Sequence, residues 1–100
     1  MFRSQTSGRA KNDKLPEAVQ FAREVAEYIN SRYKPVSVQV YCEVVEDFSN
    51  IYWYSDYKDL ATIENFRARL RLDQGYWAMV FKGIEYFVER SFRETLMSTT

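Results

Sequence analysis

From Val36 onward the chain alternates cleanly. Val36, Val38, Val40, Cys42 and Val44 fall on one side, and Ser37, Gln39, Tyr41 and Glu43 on the other. A period of two over this length predicts a strand with one buried face, running from Val36 to Glu46. The turn-forming "DFSN" follows, and "IYWYSDY" from Ile51 to Tyr57 predicts the next strand. Upstream, Leu15, Val19, Ala22, Val25 or Ala26, Ile29 and Tyr33 recur at three- and four-residue steps, with Gln20, Arg23, Glu24, Glu27 and Asn30 opposite. That is an amphipathic helix. Pro16 suits its first turn and Asp13 is a candidate cap. Lys34-Pro35 ends it, because a proline disfavours helical geometry in the residue before it. Phe2 to Ala10 alternates more weakly, Phe2, Ser4 and Thr6 against Arg3, Gln5 and Ser7, and is assigned as a first strand.

After Tyr57, Asp59 is placed to cap a second helix, and the apolar pattern then continues to about Phe87. A straight helix of that length would extend ~42 Å, whereas an eight-residue strand covers only ~27 Å. The segment "DQG" resolves the mismatch: Asp73 can cap a new helix and Gly75 lowers helix propensity, so a break is predicted there. Leu60, Ile63, Phe66 and Leu70 are expected to face inward before it, and Trp77, Val80, Phe81, Ile84 and Phe87 after it. "VERSFRETL", Val88 to Leu96, is assigned as the last strand.

The order is therefore βαββαβ, with the second helix in two pieces. Right-handed crossovers and a short hairpin make this an α+β ferredoxin-like sandwich: one four-stranded antiparallel sheet with helices on one face, a single domain spanning 1–100. An even hairpin loop of two or four residues pairs Glu46 with Ile51 and Val44 with Trp53, and sets Cys42 opposite Ser55 and Val40 opposite Tyr57. In that register the valines, Cys42, Ile51, Trp53 and Tyr57 share an apolar face, the seat of the helices. The other face collects Ser37, Gln39, Tyr41, Glu43, Val45, Tyr52, Tyr54 and Asp56. Three neighbouring tyrosines among polar groups suit a protein–protein interface, where each ring gives contact area and keeps its hydroxyl satisfied. Tyr41, Glu43, Tyr52 and Tyr54 are accordingly assigned to a homodimer interface.

The segment "IYWYSDYKDL", the apolar helix after it, and then "DQGYW" with a further apolar helix resemble the dimeric α/β-barrel superfamily, in its NIPSNAP-like and antibiotic-biosynthesis-monooxygenase-like members. The likeness covers roughly Val36 to Leu96. It implies two ferredoxin-like sheets packed face to face as a homodimeric barrel, which suits the tyrosine face. It also implies a pocket for a small, often aromatic, substrate between sheet and helices. Many members carry a histidine or asparagine on the second helix near that pocket; here Leu70 stands near that place and the chain has no histidine.

Trp53, Ser55, Tyr57 and Trp77 are the candidate pocket residues, the aromatics among them being equally readable as ordinary core. Glu43 and Asp56 are either paired carboxylates or polar contacts at the dimer rim. Arg67, Arg69 and Arg71 either grip phosphate or form a charge-paired solvated face with Glu64. Cys42, on an apolar strand face, reads as inert packing.

Composition narrows the function classes. Fourteen basic and fourteen acidic residues cancel, which argues against a broad grip on nucleic acid or an anionic membrane. RNA-recognition domains share the element order, but their third strand carries glycine and basic residues, and "NIYWYSDY" has neither. No apolar run approaches the ~20 residues of a membrane span. Without histidine, Ser-His-Asp and Cys-His catalysis and the commonest zinc ligand are excluded. The one cysteine points to a reducing compartment, and the polar "MFRSQTSGRAKNDK" lacks the core of a signal peptide, so a cytoplasmic location is expected. No metal and no cofactor is expected. Two readings remain: a homodimeric barrel binding a small apolar or aromatic molecule, at most as a cofactor-free oxygenase or isomerase, or a non-catalytic assembly or small-molecule-sensing module.

Overall fold

The structure, a computed structural model, describes residues 1–43 and 49–100. Its strands are β1 (Phe2–Arg9), β2 (Val38–Cys42), β3 (Asn50–Tyr57) and β4 (Arg93–Ser98). Its helices are α1 (Leu15–Arg32), α2 (Leu60–Arg71) and α3 (Gln74–Gly83), with short 3-10 turns at Asn12–Lys14 and Ile84–Tyr86. The strands form one sheet in the order β2-β3-β1-β4, every neighbouring pair antiparallel. That is the ferredoxin-like arrangement predicted from the element order, with the helices on one face.

The period of two in β2 and β3 places the residues as expected by face. Val36, Val38, Ile51, Trp53, Ser55 and Tyr57 are buried beneath the helices, while Tyr41 and Asp56 are exposed. The register itself differs from expectation. Val40 pairs with Trp53, Val38 with Ser55 and Cys42 with Ile51. The expected partners of Ile51 and Trp53, Glu46 and Val44, lie outside the described residues, as does Val45. Among the described residues the pairing extends to Glu43 and Asn50, the Glu43 N–H donating to the Asn50 carbonyl at 3.2 Å. The shift is by an even number of positions, and for that reason no side chain changes face.

Helix α1 buries Ala18, Phe21, Ala22, Val25, Ala26 and Ile29; Phe21 and Ala18 join the stripe that the spacing predicts. Asp13 makes no cap: Lys14 occupies the capping position without a side-chain bond. The other two aspartates do cap. Asp59 accepts from the Thr62 N–H at 2.8 Å and Asp73 from the Tyr76 N–H at 3.0 Å. The predicted break thus falls between α2 and α3.

Two expectations fail in the last third of the chain. Trp77 and Phe81 point outward, 39% and 71% exposed; Val80, Ile84 and Phe87 face inward as expected, and Tyr76, Met79 and Gly83 join them. Nearly every position of "GYWAMVF" is apolar, so periodicity gives the helix no polar side to orient it. Its rotation is set by Gly83, where an added Cβ would overlap the Phe21 ring. Only glycine lets α3 approach α1 this closely. The last strand begins at Arg93 rather than Val88. Arg90 takes a left-handed turn conformation (φ 64°), and the chain uses Phe87 and Phe92 on either side of that turn as core, their rings 5.0 Å apart.

Candidate functional site

A cavity of about 390 Å³ lies between the inner sheet face and the helices. Its floor is set by strand alternation: Ser4 and Thr6 from β1 point the same way as Trp53, Ser55 and Tyr57 from β3, with Ser4 paired to Ser55 and Thr6 to Trp53. Helix α1 contributes Phe21, Val25 and Ile29, and α2 contributes Phe66, Arg67 and Leu70. Tyr76, Val80 and Ile84 close the far side, and Phe92 and Glu94 complete the wall at the β4 edge. The lining is mostly apolar, with hydroxyls grouped on the floor and one ion pair, Arg67 Nη2 to Glu94 Oε1 at 3.0 Å.

The aromatic walls are fixed by packing. The Trp53 indole N–H donates to the Ala22 carbonyl at 3.2 Å, and its ring meets Phe21, Phe87 and Phe92. Tyr57 lies 6.2 Å from Phe66. Burial pushes both the Tyr57 and Tyr76 hydroxyls up from the usual phenol value, so both are neutral donors at ordinary pH. Of the four sequence-predicted pocket residues, the structure brings Trp53, Ser55 and Tyr57 together on this wall. Trp77 is not on it: its indole N–H donates outside to the Arg71 carbonyl at 3.1 Å, and Phe81 lies 6.2 Å from its ring. Tyr76, one position earlier, takes the inward place. Ser4, Thr6, Arg67 and Glu94 were not anticipated; hydroxyls at alternate positions of β1 were the one available signal.

The opposite sheet face carries the tyrosines. Tyr52 and Tyr54 stack at 6.1 Å, and Tyr41 meets Tyr54 edge-on at 5.5 Å. Each hydroxyl has a partner: Tyr52 donates to Glu43, Tyr54 to Gln5 at 2.9 Å and Tyr41 to Gln39 at 3.4 Å. The Tyr52 bond, helped by one from Asn50, holds the Glu43 carboxyl below its usual range, and the same bond to Glu43 pushes Tyr52 up to about 12. Glu43 and Asp56 do not share a site. Asp56 is engaged by Arg3 through two bonds, 2.8 and 3.0 Å, which hold its carboxyl low. The three arginines of α2 are likewise separate: Arg67 reaches Glu94, and Arg69 lies over the Tyr33 ring at 4.9 Å. Cys42 is half-buried, and burial raises its thiol above the usual value, which makes it a poor nucleophile.

Among the described residues no cluster of three or more His, Cys, Asp or Glu side chains is placed to hold a metal, and no helix is long and apolar enough to cross a membrane.

No protein-family model matches the chain, and no curated protein matches it. Solved structures do. A NIPSNAP domain protein from Burkholderia xenovorans superposes with a TM-score of 0.81 at 15% identity, covering 100% of this chain and 95% of that one. A NIPSNAP family protein from Agrobacterium tumefaciens gives 0.78 at 16% identity, covering 99% and 92%. An antibiotic biosynthesis monooxygenase gives 0.72 at 12% identity, covering 100% and 99%. The fold of this chain is the ferredoxin-like fold that the NIPSNAP and antibiotic-biosynthesis-monooxygenase structures share.

Proposed function

We propose that this protein binds a small apolar or aromatic molecule in the cavity between sheet and helices, and that it does so as a homodimer closed through the tyrosine-bearing face. The cavity carries the binding reading. At about 390 Å³ it falls within the range of small-molecule sites, where apolar walls supply affinity and a few polar groups supply orientation. Here the walls are aromatic and aliphatic, and the polar groups are grouped on one floor and at one edge.

The dimer reading is supported by the outer face. Exposed and half-buried tyrosines give amphipathic contact area. Arg3 and Asp56 already neutralise each other, so covering that pair would bury no unpaired charge, and the Glu43 carboxylate on the same face is held by the Tyr52 hydroxyl and the Asn50 amide. One fold neighbour is named an antibiotic biosynthesis monooxygenase. For this chain the groups on the wall that can hold or move a proton are Tyr57, Tyr76 and Glu94, enough to orient a bound molecule. Oxygen uptake on adding a bound aromatic would separate an oxygenase-like enzyme from a module that binds without turnover.

Tryptophan fluorescence tests the binding. Titration with small aromatic compounds should perturb Trp53, which stands in the wall, and leave Trp77 silent. Trp77→Phe should therefore keep the response and Trp53→Phe should lose it. A broad panel that moves neither fluorescence nor melting temperature overturns the binding reading, and a parent that sediments as a monomer at micromolar concentration overturns the dimer.

A further inference from the structure

We infer that the molecule this cavity selects is a carboxylic acid, and that Arg67 selects it by exchanging Glu94 for the carboxylate of the ligand. This rests on the binding reading above and adds the charge of the ligand to it.

Arg67 and Glu94 both stand on the cavity wall, one from α2 and one from the start of β4. Their bond is half of what such a pair can make. Arg3 and Asp56 join through two N–H···O contacts, whereas among the described residues Arg67 makes one, Nη2 to Oε1 at 3.0 Å. The rest of the guanidinium fork remains available, in the planar geometry that matches a carboxylate through two parallel bonds. Exposed ion pairs of this kind contribute little to stability, so exchanging one carboxylate for another costs little.

Glu94 is the partner placed to leave. Its side chain is the more exposed of the two, 53% against 43% for Arg67, and it stands on an edge strand, paired to Thr6 on one side only. When it swings to solvent the guanidinium stays at the rim above an apolar chamber. A ring would then lie among Trp53, Tyr57, Phe66 and Phe92 with its carboxylate on Arg67, and the hydroxyls of Ser4, Thr6 and Ser55 would meet a second polar substituent or a water. An amine would instead need Arg67, the less exposed partner, to leave Glu94, since a cation left beside it would repel the ligand. The wall is thus biased toward anions.

Three probes of one shape test this: 3-phenylpropionate, 3-phenylpropan-1-ol and 3-phenylpropylamine, titrated by calorimetry and ligand-observed NMR into the parent, Arg67→Gln and Glu94→Gln. The parent should bind the acid best and the amine worst. Arg67→Gln should weaken the acid by about tenfold or more while the alcohol stays within about threefold, as expected for loss of a charge-assisted bidentate pair. Glu94→Gln removes the internal competitor and should tighten the acid. Because the two variants carry opposite signs, general loss of folding cannot mimic the pattern, and the preference of the parent needs no variant at all. Equal binding of acid and alcohol, unmoved by Arg67→Gln, overturns the inference and leaves the binding reading standing. Tightest binding of the amine, weakened by Glu94→Gln, overturns it in favour of Glu94. If none of the three binds to any form while other aromatics of the broad panel do, this inference falls alone; if the whole panel fails, the binding reading falls with it.

Discussion

Two tyrosine-bearing regions of this molecule each engage a carboxylate, one through Tyr28 and Tyr33 and the other through Tyr52, and they do different work. At the corner between α2 and α3, Asp73 accepts from Tyr28 at 2.8 Å, from Tyr33 at 2.5 Å and from the Tyr76 N–H at 3.0 Å. On the outer sheet face Glu43 accepts from Tyr52 and, at 3.1 Å, from Asn50. Each site holds a tyrosine raised to about 12, Tyr33 by burial first and by its Asp73 bond second, Tyr52 first by its bond to Glu43, and each lowers its own carboxyl. The rings make the difference. Tyr33 is 6% exposed and packs edge-on against Phe66 at 5.3 Å, so its ring is part of the core and its hydroxyl ties α1 to the helix break. Tyr52, Tyr54 and Tyr41 lie on the sheet face that no described element of this chain covers. A tyrosine is cement or contact surface according to what its ring touches, because the hydroxyl is satisfied in either setting.

The largest test of this contrast is truncation. Tyr33→Ala should destabilise the fold by about 3 kcal/mol or more in urea or thermal unfolding, as for other large core aromatics. Tyr54→Ala on the outer face should cost the isolated chain well under half of that, and equal losses would erase the distinction. Next comes association. Tyr54→Arg sets a cation beside Arg3, whose guanidinium already lies 5.6 Å from the Tyr54 ring, and beside its symmetry copy in the proposed dimer. Light scattering should report a monomer with a circular dichroism spectrum like that of the parent; a persisting dimer would move the interface elsewhere.

The smallest effect is a pH slope. The Asp73 carboxyl is held at about 2, first by Tyr33, then by the Tyr76 N–H and Tyr28. Its folded value lies below its unfolded one, so the unfolded chain binds more protons in the interval. The stability Asp73 contributes is therefore complete above about pH 4 and fades as pH falls toward 2. Asp73→Asn should lower the melting temperature at pH 6 and flatten its decline between pH 4 and 2; an unchanged slope would mean that the cluster is not tightly formed. Glu43→Gln should flatten the acid limb less, its tyrosine lying on the open face.

Most of the sheet could be read from residue type because strand alternation carries its own phase. Faces were right for β2 and β3 even though the register slid, since an even slide conserves them. The aspartate caps at Asp59 and Asp73 were legible for a similar reason: each needs only a side-chain oxygen and an N–H three residues on, all local. What failed was set by distant partners. The rotation of α3 depends on Gly83 meeting Phe21, and the ion pair at the cavity rim joins Arg67 to Glu94 across 27 positions of sequence. The sequence pattern starts β4 at Val88, five residues ahead of Arg93, and so does not set Glu94 opposite Thr6. Helical spacing sets Trp77 on the inner face with Val80, Phe81, Ile84 and Phe87, and the apolar surround of α3 offers nothing to contradict it.

The close approach at Gly83 also has a bearing on what the cavity can accept. The Phe21 ring lies against Gly83 along its Cδ1–Cε1 edge and is also part of the cavity lining. A methyl group at position 83 would therefore act on the chamber by remote control, driving the ring inward or prying α1 from α3. Whichever way the ring gives, a position that no ligand touches would retune which ring sizes fit, so breeding a narrower or wider specificity would begin at this helix crossing and leave the residues that contact the ligand alone.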